Sequence, residues 1–475
     1  MKGATVRLSE ISIQDFKNVK DGSISFSNRR KNYRASVLGL YGQNGSGKTA
    51  LIDALQLLKY ILCGKSVPAD MANYINVDAE RAALSYKFDV TVPTGKYEAF
   101  YKCHIRREEI TEEKNLDADV DQERIPRLVI YDEVLSYSFE SDQERIRKGP
   151  FIDTHTEKVF IPVSKYDCLI GKDQDKMMDL LVAKKMAAKT SRSFIFSRDL
   201  LNAARKQGME KEKDREFERH LALLEKLILY GNFELFIINT ENSGMISMNA
   251  LPLAFKYEGS DKEAVGKIML PLESPAVISK EAVEVVRKVI CNMNIVLGQV
   301  VPGLTISLNG LGAQTMDNGK AGERIQLMSC KNSKEIPLKY ESEGIRKIIS
   351  ILQLLIVVYN QPSITVAIDE LDSGIFEYLL GEILRIISEK GKGQLIFTSH
   401  NLRPLETLDR GFIAFTTTDP SKRYIRMTNI KDNNNLRDFY FRDIVLGEQN
   451  EEIYERTNNA EIALAFREAG GMSGS

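Results

Sequence analysis

Tryptophan is absent from this 475-residue chain, and histidine occurs only four times. The missing tryptophan decides nothing. The scarcity of histidine argues against a His-rich metal site. Five cysteines (Cys63, Cys103, Cys168, Cys291, Cys330) are scattered with no CxxC pair, and read as buried or half-buried thiols of a reducing cytosol. No run approaches the roughly 18 apolar residues of a membrane span. The opening MKGATVRLSE lacks the apolar stretch of a secretory signal. The expectation is a cytoplasmic chain with no membrane partner. Neither sign of charge dominates: 65 Lys+Arg face 66 Asp+Glu, a net charge of −1. That balance gives no global attraction to nucleic acid, although a local patch stays open.

Core material is plentiful. Hydrophobic residues make up 43% and charged residues 28%, so a wholly disordered, collagenous or disulfide-stapled chain is excluded. At about 150 residues per domain the length suggests roughly three domain-sized units. Alternation in Leu8, Ile11, Ile13, Phe16, then Ile24 and Phe26, predicts two strands. Ser36 to Tyr41 is a short apolar run suited to a strand buried on both faces. Ala50 to Leu58 holds strong helix formers and no breaker. Residues 84 to 163 read as β-rich, including Lys158 to Pro162. Within them, residues 105 to 127 form a charged connection (Glu112, Glu113 and Lys114 among them), expected as a solvated loop or hairpin tip. Lys172 to Leu229 is rich in Lys, Glu, Leu and Met and predicts a helical insertion. Ser274-Pro275 offers a helix start, with Val283, Val286, Ile290 and Met293 on one face. Helix and strand then alternate to about residue 415, and a polar tail follows.

The chemistry begins at Gly42-Gln43-Asn44-Gly45-Ser46-Gly47-Lys48-Thr49, which fits G-x-x-x-x-G-K-[ST] at every fixed position. Small residues let successive backbone amides turn around a phosphate. The helix that follows directs its positive end at the same anion. Lys48 brings a point charge to the β/γ oxygens, and Thr49 a hydroxyl ligand for Mg²⁺. Further along, Ser363 to Glu370 is a β-branched strand ending in two carboxylates, placed where α/β sheets hold ligands. Asp369 is expected to hold Mg²⁺ and Glu370 to orient and deprotonate the attacking water. A third apolar strand, Gly393 to Ser399, ends in His400, placed to register a γ-phosphate. Ahead of both, Ser342 and Gly344 precede a long apolar helix and form a candidate anion site.

In this order the residues resemble the ABC-type ATPase heads of SMC- and RecF-like proteins, and most of all AAA_15 or OLD-like ATPases. Ile13 to Asn18 looks like that family's opening, Gly42 to Thr49 its Walker A motif, and Ile364 to Glu370 its Walker B. Glu341-Ser342-Glu343-Gly344 is similar to a relaxed signature motif. Leu371-Asp372-Ser373 matches the D-loop and His400 the switch histidine. No Q-loop glutamine is assigned. The resemblance implies an α/β fold, with mixed antiparallel and parallel sheets and flanking helices. The implied parts are an N-terminal ATPase lobe (1–170), a mainly helical insertion (171–270), a C-terminal lobe (271–430) and a polar tail (431–475). It implies two ATP molecules held between two heads, each contacted by Ser342 and Gly344 of the other copy, with Asp372 beside them.

Three departures narrow the expectation. About 290 residues separate Thr49 from Ser342, yet no heptad seam runs through them, which excludes a long SMC-type coiled coil. A transporter ATPase would carry its signature about 100 residues after Walker A by family resemblance. Only 75 residues follow His400, too few for the TOPRIM nuclease of full-length OLD proteins. The leading expectation is therefore an ATPase that controls a separate nuclease or toxin in anti-phage defence, resembling Septu, PARIS and retron-associated subunits. A RecF-like DNA-repair ATPase, with a modest basic cluster at Arg29, Arg30, Lys31 and Arg34, is the second. An ATP-locked assembly scaffold with little turnover is the third.

Overall fold

The computed structural model describes residues 4–28, 30–111, 124–210, 214–238, 250–258, 263–272, 274–316, 319–427, 435–446, 451–455 and 457–471. The chain opens with β1 (Thr5–Phe16), β2 (Val19–Ser25), β3 (Ser36–Tyr41) and α1 (Lys48–Leu62). Four long strands follow: β4 (Arg81–Val92), β5 (Gly95–Thr111), β6 (Arg124–Glu140) and β7 (Arg145–Asp153). The helical stretch contains α2 (Val163–Leu169), α3 (Gln174–Lys189), α4 (Arg198–Glu210) and α5 (Arg215–Leu229). Then come β8 (Leu235–Ile238), β9 (Ala250–Glu258), β10 (Glu263–Pro271), β11 (Ala276–Ser279) and α6 (Lys280–Val300). The last part holds β12 (Leu304–Thr315), β13 (Ala321–Lys331), β14 (Lys334–Pro337), α7 (Glu343–Asn360), β15 (Thr365–Ile368) and α8 (Glu377–Lys390). It closes with β16 (Gln394–Thr398), α9 (Arg403–Thr407), β17 (Ile413–Thr416), β18 (Tyr424–Ile425), α10 (Leu436–Leu446) and α11 (Asn459–Gly471).

Two six-stranded sheets organise these elements. One is antiparallel, in the order β2-β1-β4-β5-β6-β7. The other runs β18-β17-β3-β16-β15-β8 and is parallel except where β18 joins β17. Its strands are buried on both faces, as parallel strands usually are. On β3, Leu38 and Leu40 enter one core while Val37 and Tyr41 enter the other. Helix α1 packs in the first core with the antiparallel sheet, and is buried around most of its circumference. Residues of α6, α7 and α8 fill the second core. This mixed α/β architecture is the one expected from the sequence.

Several local expectations need correction. The charged stretch 105–127 belongs to a hairpin, the second of the two expected readings, but its described ends are strand, because β5 runs to Thr111 and pairs there with Arg124 at the start of β6. Arg106 and Arg127 both pair with Glu108, so opposite charges on neighbouring positions carry the ladder outward. Glu112, Glu113 and Lys114 lie outside the described residues. Lys158–Pro162 is not a strand; only Ile161 bridges to Asp153. Pro162 has no N–H with which to extend that ladder. The helix expected at Ser274-Pro275 begins later. Residues 276–279 are taken into a sheet by pairing with Gly322–Ile325, and Ser279 caps α6 by accepting the Ala282 N–H at 3.2 Å. The anticipated face is correct, for Val283, Val286, Ile290 and Met293 are all buried.

Within 171–270, the residues from Asn232 to Lys256 read as strand-like, and helix does give way to strand at Leu235; β8 is an edge of the parallel sheet beside β15. Within 431–475, α10 places Leu436, Phe439 and Tyr440 in the second core, so that stretch is not a simple polar tail.

Candidate functional site

The phosphate loop joins β3 to α1, and its backbone is built on glycine. Gly45 and Gly47 adopt φ values of 76° and 92°, in the left-handed region that side chains resist. A Cβ on Gly42 would collide with the Thr416 hydroxyl. The loop is held from three sides. Asn18 Nδ2 donates to the Gly45 carbonyl. Tyr424 donates its phenol proton to the Gly47 carbonyl at 3.0 Å. Ser46 Oγ lies 2.5 Å from Thr416 Oγ1 and donates to the Gln43 carbonyl at 2.6 Å. With its carbonyls tied to the scaffold, the loop is left to offer its amides to an anion. Lys48 donates to the Gly42 and Gln43 carbonyls at 2.8 and 2.9 Å. Burial lowers its pKa, opposed by the charges of Asp369, Glu370 and Asp372.

Across the cavity, β15 ends in the two carboxylates. Asp369 is almost fully buried, at 2% exposure. Thr398, at the end of the adjacent β16, donates its hydroxyl to Asp369 Oδ1 at 2.5 Å. The same hydroxyl accepts the Glu370 N–H at 2.7 Å. Glu370 turns off the strand with φ 47°, a left-handed conformation uncommon for a residue with a side chain. A cavity of about 450 Å³ is lined by Lys17, Asn18, Asn44, Gly45, Gly47, Lys48, Thr49, Ala50, Asp369, Glu370 and His400. It therefore brings together residues more than 300 positions apart.

Not every expected site residue reaches it. Gly42, Gln43 and Ser46 sit in the loop without lining the cavity. Asp372 Oδ2 accepts the His400 and Asn401 N–H groups at 3.1 and 2.9 Å, so it fixes the turn that carries the histidine. Ser342 is exposed and caps α7, accepting the Ile345 N–H at 3.4 Å. Gly344 packs so closely on the 371–376 loop that a Cβ there would run into the Gly374 carbonyl. Neither Ser342 nor Gly344 lines the cavity of its own chain.

Sequence reasoning missed Lys17, Asn18 and Thr398 as site residues. Lys17 pairs with the fully buried Asp53 of α1 at 2.5 Å. The signal for both cavity residues was their place in the quoted opening, Ile13 to Asn18. Thr398 stood two residues before His400 at a strand end.

The donors around the cavity suit a hard divalent cation: a threonine hydroxyl, a buried carboxylate and a second acid beside it. Among the described residues there is no cluster of three His, Cys, Asp or Glu side chains that could hold a metal. A cation such as Mg²⁺ takes one or two carboxylates and completes its shell with water and phosphate. Also among the described residues, no helix is long and apolar enough to cross a membrane.

A glycine loop between a parallel strand and a helix, facing acids on the strand two places away, is the arrangement of a P-loop nucleotide-binding fold. Residues 10–236 match the AAA_23 family model, described as an AAA domain. No curated protein matches the chain. Among solved structures, an Smc head bound to the C-winged helix domain of ScpA is 13% identical, covering 89% of this chain and 98% of its own, with a TM-score of 0.39. The recombination mediator RecF with ATP is 14% identical over 83% of this chain and 92% of its own, with a TM-score of 0.33. An SMC head from Thermotoga maritima is 12% identical over 89% and 99%, with a TM-score of 0.34. At such scores the overlaps carry no argument; the loop, the strand order and the family match do.

Proposed function

We propose that the chain is an ATPase that works in pairs, each nucleotide being clasped between the cavity of one copy and Ser342 and Gly344 of another. The observation that carries this reading is the placement of Ser342. It stands exposed at the N-terminus of an 18-residue helix, outside the cavity that holds Lys48, Glu370 and His400. A helix N-terminus that caps itself and faces solvent can meet a phosphate only on another molecule. Around it lie exposed aromatics, Tyr340, Phe376 and Tyr378, at 68%, 71% and 55%. Such residues suit a protein interface.

In the proposed reaction, the loop amides and Lys48 hold the phosphates. Thr49 and Asp369 would hold Mg²⁺, which would supply positive charge against the triphosphate. Glu370 orients and deprotonates water, and His400 contacts the γ-phosphate. Binding energy from the γ-phosphate would favour the paired state, and hydrolysis would release it. We further propose that this cycle controls a separate nuclease or toxin in anti-phage defence.

The RecF-like alternative rests on the same fold. Its basic cluster is partly neutralised, because Arg30 and Lys31 approach Asp409 at 3.6 and 3.7 Å. Arg29 lies outside the described residues. Duplex binding that falls steeply with salt would favour that alternative. Light scattering with and without ATP tests the pairing. Glu370→Gln should accumulate as an ATP-bound dimer or larger assembly, and Lys48→Ala should neither bind ATP nor assemble. An unchanged mass for Glu370→Gln under saturating ATP would sink the pairing. Full biological function in Glu370→Gln would instead favour the scaffold reading.

A further inference from the structure

The phosphate loop has a contact that the reaction does not use. Gln43, the second residue of the loop, is clasped by the main chain of Glu455, near the other end of the chain. The Glu455 N–H donates to Gln43 Oε1 at 3.0 Å, and Gln43 Nε2 donates to the Glu455 carbonyl at a longer 3.5 Å. Glu455 belongs to a strap, Glu451–Glu455, that is anchored in three further ways. Ile453 is 2% exposed and sits in the second core. Thr418, just past β17, donates its N–H to the Glu452 carbonyl at 2.8 Å. Lys422 pairs with Glu451 at 2.8 Å.

Gln43 matters because of its own carbonyl. That oxygen accepts from both Ser46 Oγ and Lys48 Nζ. Whatever fixes Gln43 therefore fixes the turn of the loop and the position of the ammonium. Beyond the strap the chain continues into α11, where every described side chain from Asn459 to Gly470 is exposed, including Ile462, Leu464 and Phe466. This 13-residue helix starts at Asn459, just past the strap.

We infer that the strap Glu451–Glu455 is a positioning element of the phosphate loop: main-chain bonds from Glu455 hold Gln43 in the nucleotide-competent turn, and nucleotide binding in turn tightens the strap at the base of α11. The second half follows from the first by linkage, since a strap that strengthens nucleotide binding must itself be strengthened by nucleotide to the same degree. The proposal rests on the loop binding ATP, as read above, and adds a route by which the occupied state reaches the exposed C-terminal helix.

The test uses the full chain and a slowly hydrolysed ATP analogue with Mg²⁺. Glu455→Pro removes the N–H donor and should weaken analogue binding by about 10-fold, the loss expected for one hydrogen bond of about 1.4 kcal/mol. Glu455→Ala keeps the N–H and should bind as the parent does. Hydrogen exchange of residues 451–455 in the unaltered chain should slow on adding the analogue and stay unchanged in Lys48→Ala. This second measurement decides the matter if Glu455→Pro fails to fold. Parent-like affinity in a folded Glu455→Pro, or strap exchange indifferent to bound analogue, overturns the positioning role while leaving ATP binding intact. Failure of the unaltered chain to bind the analogue overturns both this inference and the ATPase reading.

Discussion

Thr398 shows how much one hydroxyl can govern. It donates to a buried carboxylate and accepts the backbone N–H of the neighbouring acid, so it fixes the Asp369 carboxylate and the backbone turn at Glu370. Hydrogen bonds to charged groups are worth about 1.5–3 kcal/mol. Thr398→Val keeps the shape and removes both bonds. We expect ATP turnover to drop roughly 10- to 100-fold while nucleotide affinity stays within a few-fold. Steady-state kinetics beside analogue titration would check it, and an unchanged kcat would rule the role out.

At the scale of elements, the helical stretch is pinned to the antiparallel sheet by a buried histidine. His220 of α5 stacks on Phe151 of β7 at 4.2 Å and is wholly inaccessible. Its Nε2 stands 3.9 Å from Glu216, beyond hydrogen-bond reach. Burial lowers its pKa to about 3, with Lys165 and Arg219 adding to the effect. In the unfolded chain the group titrates near about 6.5. Between those values the unfolded state binds the extra proton. Stability should therefore fall as pH drops below about 6.5, by up to about 1.4 kcal/mol per unit from this residue. Urea midpoints between pH 7 and 5 should decline less in His220→Phe than in the parent. Equal declines would show that other groups carry the acid sensitivity.

For the whole molecule, the proposed pairing makes a prediction that no single-chain site can mimic. Lys48→Ala lacks its own phosphate grip but keeps Ser342. Ser342→Arg keeps the cavity but blocks its contribution to a neighbour. Each alone should be inactive. Mixed, they form some pairs with one intact composite site, so ATPase activity should reappear on mixing and follow the mixing ratio. Two variants that stay inactive together, while Ser342→Arg still binds nucleotide and both remain folded, would count against a shared site. The strap adds a second long-range link, because nucleotide at one end of the parallel sheet would then be felt at α11.

What the sequence by itself determined is the chemistry made by consecutive residues. Gly42 to Thr49 is legible because the spacing of its glycines, lysine and threonine is local, and Asp369, Glu370 and His400 because each closes a short apolar strand. The burial of β3 on two faces and the apolar face of α6 were readable for the same reason, since periodicity is a local property. Pattern reading failed where pairing overrode it. Residues 276–279 became a strand because β13 lay alongside, and the charged ends of β5 and β6 stayed in the sheet through backbone pairing, with one ion pair, Arg127 to Glu108, across the ladder. Only the tertiary structure decided which side chains hold the loop in shape. Tyr424 and Glu455 carry no local signature, and the clasp between Gln43 and Glu455 joins residues 412 positions apart. Such contacts exist because the parallel sheet sets β17 beside β3, bringing the last part of the chain against a loop made near its beginning.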